Sequence, residues 1–182
     1  MPEVEELREG DPEKVVVENA RRKARTGLEE VRHGEQSPGL VVLGVDTDVA
    51  VDGRLLGKAS TEDEARERLQ ALSGRTHDVL SGVVLLGIGA LVPDSGTNAS
   101  TTAEDADSFG ERSGVARSYV TFKHLDDGTL SRYLKSGEWR DRAGAYAIQG
   151  LGAILVDELR GDFSNVVGLP LSLLLNLAPE LW

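Results

Sequence analysis

LVVLGVDTDVAVDGRLLGKASTEDEARERLQALSGRTHDVLSGVVLL, residues 40–86, is the stretch from which the fold can be read. Residues 40–45 are an unbroken apolar run, which predicts a buried strand. Asp46 and Thr47 follow at once, so the spacing places them at the strand's C-terminal edge. Asp52-Gly53 is a tight-turn signal that folds residues 49–51 against residues 54–56 as a hairpin. Ser60-Thr61 then caps a helix, and Glu64 completes a capping box with Thr61. Ala65, Leu69 and Leu72 give that helix an inward stripe, and Gly74 supplies its stop. Residues 77–92 read as one long strand or two broken ones, with Gly87 and Gly89 as candidate bulges.

Upstream, Asp11-Pro12 opens a helix, because Asp caps free N–H groups and Pro suits the first helical position. The helix is expected to run to about Arg25, with Gly27 as its stop. Val16, Ala20 and Lys23 share one face, which sets Lys23 among apolar neighbours. Downstream, residues 93–114 are polar and rich in Gly, Ser, Thr and Asp, the composition of an extended surface loop. Residues 119–123 predict a strand, residues 129–134 a short helix, and residues 151–159 another strand. Pro170 begins a last helix whose all-round Leu content implies burial. Strands alternating with helices indicate an α/β or α+β fold. No internal repeat is visible.

The chain has 182 residues, enough for one medium domain or two small lobes sharing a cleft. It has no cysteine, which excludes disulfides and Cys-based metal sites and is compatible with a reducing cytosol, the expected compartment. The first residues are charged and carry no secretory h-region. The longest apolar stretches, 79–92 and 166–177, are interrupted by Gly, Ser, Pro or Asn, so no membrane span is expected. A formal net charge of −11 argues against a broad nucleic-acid surface but leaves room for a small anionic substrate held by local lysines and a divalent cation.

Chemistry on a small anionic substrate such as a phosphate ester needs cations for its oxygens, carboxylates for a metal or a water, and in-line geometry. Glu5-Glu6, Lys23, Asp46-Thr47 and Lys58 could supply these parts, with Gln149 in the Gly-rich stretch 144–152. Each also has a structural reading. Glu5 and Glu6 suit a solvated terminus, and Lys23 could lay its stem over the core. Asp46 could cap a turn, Lys58 could be a surface lysine, and Gln149 could satisfy backbone groups. His77 reads as a packed strand residue rather than a base, and three scattered histidines suggest no His-based metal site.

The stretch GVDTDVAVDGRLLGKASTEDEARERLQALSGRTHDVLSGVVLL resembles the central signature of the Maf family of nucleotide pyrophosphatases. YLKSGEWRDRAGAYAIQGLGAILVDELRGDFSNVVGLPL resembles the family's second signature, and with the ENARRKA helix the likeness spans most of residues 4–175. The resemblance implies an α/β fold similar to inosine triphosphatases, a mixed sheet with two lobes flanking a central cleft. It implies hydrolysis of nucleoside triphosphates to the monophosphate and pyrophosphate with a divalent cation, Mg²⁺ or Mn²⁺. Asp46 falls on the family's proton acceptor, which lies beside the metal. Thr47, Lys23 and Lys58 fall on the family's substrate-binding positions, and the acidic pair is best matched by Glu5-Glu6, with Glu6 as the second metal ligand. The AYAIQG context of Gln149 resembles the branch acting on dTTP and UTP, and a Gln amide offers the donor and acceptor that suit the imide edge of thymine or uracil. Dimerisation is common in the family, so a homodimer is left open, with no interface readable in these residues.

The sequence departs from the family in places. Members usually begin with a strand and an S-x-S-P-R-R-type motif that grips the triphosphate, and nothing equivalent precedes MPEVEEL. About 25 residues are expected to be missing on this alignment, a strand plus a helix. The single Maf-like domain, residues 1–182, therefore reads as N-terminally truncated relative to the family, through an upstream start or a lineage loss. Asp48 stands where an apolar residue is preferred, and Trp139 replaces the usual Pro. The leading expectation is a dTTP/UTP pyrophosphatase; the alternative is a catalytically impaired nucleotide-binding or regulatory protein of the same fold.

Overall fold

The structure is a computed structural model and describes residues 5–32, 40–88 and 109–179. The elements run α1 (Pro12–Arg32), β1 (Val41–Val51), β2 (Arg54–Leu55), α2 (Glu62–Leu72), β3 (Thr76–Ile88), β4 (Phe109–Phe122), α3 (Asp127–Ser136), a 3₁₀ turn (Gly150–Leu155), β5 (Val156–Arg160), α4 (Phe163–Val167) and α5 (Leu171–Leu177). The α/β architecture expected from the sequence is present. The five strands form one sheet in the order β2-β1-β3-β4-β5, and every pairing among them is antiparallel.

Side chains alternate across the strands, so one sheet face and the other bury different partners. Ala20, Ala24 and Leu28 of α1 pack on Val84 and Leu86, and Val16 packs on Ala50 and Leu80. The helix can lie this close because Gly44 and Gly82 face it. A Cβ at Gly82 would run into the carbonyl of Val16, and one at Gly44 would lie 2.8 Å from the Ala24 Cβ. The opposite face carries Val49 and Val79, which join Leu69 and Leu72 of α2, Leu130 and Tyr133 of α3, and Phe122 in the largest core cluster.

The hairpin and the capped helix form where they were expected. Asp52 and Gly53 are both left-handed, with φ of 52° and 73°, as the two-residue turn requires. Thr61 Oγ1 accepts the N–H of Glu64 at 3.2 Å, and Glu64 returns Oε2 to the N–H of Ser60 at 2.8 Å. Ala65, Leu69 and Leu72 are fully buried.

Several boundaries differ from the sequence reading. Helix α1 runs through Gly27 to Arg32, because Leu28 is buried against β3 and this burial outweighs the roughly 1 kcal/mol a mid-helix glycine costs. Strand β1 does not end before Asp46; it continues to Val51, and Asp46 pairs with Gly82 in mid-ladder. β3 keeps an unbroken register through Gly87, so no bulge forms there. Residues 109–114, expected as the end of a loop, are strand β4 paired with β3, while residues 89–108 lie outside the described residues. Residues 150–155 are a 3₁₀ turn rather than strand. Helix α5 has no buried residue: it lies at the periphery beside β4, and Leu171 is 47% exposed.

Candidate functional site

On its outer side β1 pairs with β2 only at Ala50 and Val51, which among the described residues leaves the edge from Val45 to Asp48 without a strand beside it. Along that edge lies a cavity of about 370 Å³. Its size suits a small ligand. Every residue singled out in the sequence for chemistry lines it except Glu5: Glu6, Lys23, Asp46, Thr47, Lys58 and Gln149.

The floor is an ion-paired carboxylate. Asp46 is only 7% exposed. Its Oδ1 accepts from Lys23 Nζ at 2.5 Å and its Oδ2 accepts from Asn19 Nδ2 at 3.1 Å. The same ammonium reaches Glu6 Oε1 at 2.7 Å. Burial pulls the Lys23 ammonium down, but the hydrogen bonds and charges of Asp46 and Glu6 outweigh it and hold it above its usual value. Burial likewise pushes Glu6 up, and Lys23, with help from Lys58 and Arg8, brings it below the usual carboxylate range. Asn19 also ties down the chain that carries Glu6, accepting the N–H of Leu7 at 2.7 Å and donating to its carbonyl at 3.0 Å.

Thr47 points to the other side of β1. Its hydroxyl lies 2.7 Å from Ser81 Oγ and donates to the carbonyl of Gly168 at 3.4 Å, which links the strand to the turn after α4. The lysine after the hairpin, Lys58, is exposed at the cavity wall and forms a bridge with Ala143. Gln149 stands at the mouth, immediately before the 3₁₀ turn, whose Leu151 and Gly152 N–H groups are held by the Glu138 carboxylate at 3.1 and 3.2 Å. Asp141 and Ala145, both left-handed with φ of 59° and 61°, bracket this wall. Such conformations in non-glycine residues are held by their surroundings and concentrate at functional sites.

Residues that sequence reasoning passed over also line the cavity: Asn19, Arg8, Arg68, Arg142 and Tyr146. Nothing local marks them, since each arrives through long-range packing. Tyr146 is fixed by His77, whose Nε2 lies 2.9 Å from the phenol oxygen. Burial drives His77 down to about 4, so it is a neutral packed residue as the sequence suggested. Asp48 takes the N–H groups of Val49 and Gly57 on Oδ1 at 2.7 and 3.0 Å.

Two carboxylates, Asp46 and Glu6, converge on one ammonium. That donor set suits a Mg²⁺-like ion that draws the rest of its shell from phosphate oxygens and water. Among the described residues no group of three His, Cys, Asp or Glu side chains is arranged to hold a metal unaided. No helix among them is long and apolar enough to cross a membrane.

Comparison with known proteins identifies a family. A family model described as Maf-like protein matches residues 1–181. The chain is 39% identical over 173 residues to a dTTP/UTP pyrophosphatase of Thermococcus gammatolerans, covering 95% of this chain and 79% of that one. It is 37% identical over 175 residues to a dTTP/UTP pyrophosphatase of Deinococcus radiodurans, covering 96% and 76%. A third, from Halalkalibacterium halodurans, is 46% identical over 131 residues, 72% of this chain and 58% of that one.

Proposed function

The chain belongs to the family of Maf-like proteins, and from that premise we propose that it hydrolyses nucleoside triphosphates, dTTP and UTP foremost, to the monophosphate and pyrophosphate. The observation that carries this reading is the buried Asp46 carboxylate at the cavity floor, oriented by Lys23 and Asn19, with Lys58 lining the same cavity. The relatives named as pyrophosphatases favour turnover over binding alone.

In the proposed reaction a water oxygen attacks the α phosphorus, the bond from that phosphorus to the α–β bridging oxygen breaks, and pyrophosphate leaves. Asp46 takes the water's proton; a carboxylate has about four lone-pair sites, and Lys23 and Asn19 occupy only two of them. Lys23 and Lys58 bring positive charge to the phosphate oxygens, where it counts most in a site with restricted water. A divalent cation held by Asp46 and Glu6 would neutralise phosphate charge. Thr47 positions the substrate from the far side of β1, and Gln149 reads the base through its amide donor and acceptor.

The test is product analysis with dTTP and Mg²⁺ or Mn²⁺. Release of dTMP and pyrophosphate supports the reading, whereas dTDP and phosphate would place the cut at the wrong bond. Gln149→Ala is expected to raise KM for dTTP about tenfold while hydrolysis of dATP changes little; an equal change for both nucleotides would remove Gln149 from base recognition.

A further inference from the structure

Gly57, one residue before Lys58, is gripped on both of its backbone polar groups. Its N–H donates to Asp48 Oδ1 at 3.0 Å. Its carbonyl accepts from Arg68 Nη1 at 2.9 Å and from the N–H of Gly144 at 2.9 Å. The residue is left-handed, with φ of 58°, and a Cβ there would meet nothing within 4 Å. Glycine is therefore favoured by conformation and not by space. The grip matters because the Gly57 carbonyl belongs to the peptide unit that leads into Lys58, so fixing it fixes where the Lys58 side chain departs.

Neither partner is placed there cheaply. Asp48 is a partly buried carboxylate on the cavity wall, and its Oδ1 is committed to the N–H groups of Val49 and Gly57. Arg68 turns one guanidinium nitrogen inward to a backbone carbonyl and keeps Glu64 at 3.8 Å on another. Both side chains line the cavity, and both put polar atoms on the same residue.

We propose that Asp48 and Arg68 are positioning residues for Lys58: they clasp Gly57 from two sides and so aim the Lys58 ammonium at the polyphosphate of the substrate. This rests on reading the cavity as a triphosphate site. Asp48 itself touches no phosphate; it acts through the Gly57 backbone. The same clasp joins strand β1, helix α2 and the wall that carries Gly144 at one point, so the lysine is held by three separate elements.

The experiment is a double-mutant cycle read by calorimetric binding of inorganic tripolyphosphate to the full chain. Asp48→Ala and Arg68→Met should each weaken binding about tenfold. In a Lys58→Ala background each should cost no more than about twofold, because the group they position is gone. Asp48→Asn keeps the acceptor and should restore most of the affinity lost in Asp48→Ala. Equal losses with and without Lys58, no loss at all, or no binding by the unaltered protein would each overturn the proposal. Should Asp48→Ala fail to fold, the Arg68 arm of the cycle decides alone. Hydrolysis of dTTP by the unaltered protein is measured alongside. Turnover with equal losses sinks the clasp only, and the reverse pattern sinks the hydrolase reading only.

Discussion

Lys23 donates to Asp46 across 2.5 Å, from helix α1 to the middle of strand β1, and the helix can come that near only because two glycines face it. A single ammonium thereby serves two carboxylates, Asp46 and Glu6, and fixes the buried Asp46 carboxylate on the cavity floor. Removing it takes the shared cation from both carboxylates.

Lys23→Met is expected to lower stability by about 1–3 kcal/mol and hydrolysis about a hundredfold. The sign with pH follows from the raised value of Lys23. Its contribution is fully present below 10.5, the unfolded value, and is lost as pH rises through the folded one. The gap between the two proteins in urea midpoint should stay constant through neutral pH and close in alkali, and again in acid below 4.5, as Glu6, which Lys23 holds low, takes up its proton. A gap that closes on mild acidification would show that another group sets it.

Asp48 and His77 oppose each other. Burial, with Asp46 and Glu6 adding to it, pushes the Asp48 carboxyl from 3.8 to about 6 despite two backbone donors. The folded chain keeps this proton where the unfolded chain has lost it, so Asp48's contribution falls as pH rises through that window. Burial lowers His77 from 6.5 to about 4, so its contribution falls as pH drops through its own window. Asp48→Asn should therefore be more stable than the unaltered protein at about pH 7 by roughly 1–3 kcal/mol. It should also lose stability more steeply on acidification, by up to about 1.4 kcal/mol per pH unit. His77→Gln should show the opposite slope. Urea midpoints at about pH 4.5 and about pH 6.5 check this; parallel curves for all three proteins would contradict it.

Gly82→Ala should cost about 1–3 kcal/mol or more, since the new methyl meets the α1 backbone at Val16 and no flexible side chain can give way. Activity should fall with it, because Lys23 rides on the same helix. Gly128→Ala is the control: its Cβ would meet only Asp126 Oδ1, at 3.4 Å, and the change should stay within about 0.5 kcal/mol. Thermal melts of the two variants that match would show that α1 has room to shift.

The parts of the molecule readable in the sequence are those written in short-range chemistry. Asp52-Gly53 dictates its own hairpin, and Thr61 with Glu64 dictates its own cap. Boundaries set by tertiary burial were not readable: Gly27 looks like a stop until Leu28 is seen buried under it, and Asp46 looks like a strand end because its polar side chain faces a cavity while the ladder runs on. Likewise the Leu-rich helix α5 reads as core, yet none of its residues is buried where it lies beside β4. In the site, Glu6, Lys23, Asp46, Thr47, Lys58 and Gln149 could be named from motifs, and the structure brings all six to one cavity. Asn19 and Arg68 could not, since their partners lie in other elements: Asn19 reaches Asp46, and Arg68 reaches back to Gly57. The role of Asp48 was hidden for the same reason, as its acceptor work is done nine residues away at Gly57.

The most direct measurement is pyrophosphate release from dTTP, with Mg²⁺ present, by the unaltered protein and by Asp46→Asn, which keeps the shape of the side chain and its contact with Asn19 while removing the base. Release by the unaltered protein and a fall of about 10²- to 10⁴-fold in Asp46→Asn, with the variant still folded by circular dichroism at the assay temperature, is the expected result. Equal rates from the two proteins would contradict Asp46 as the proton acceptor.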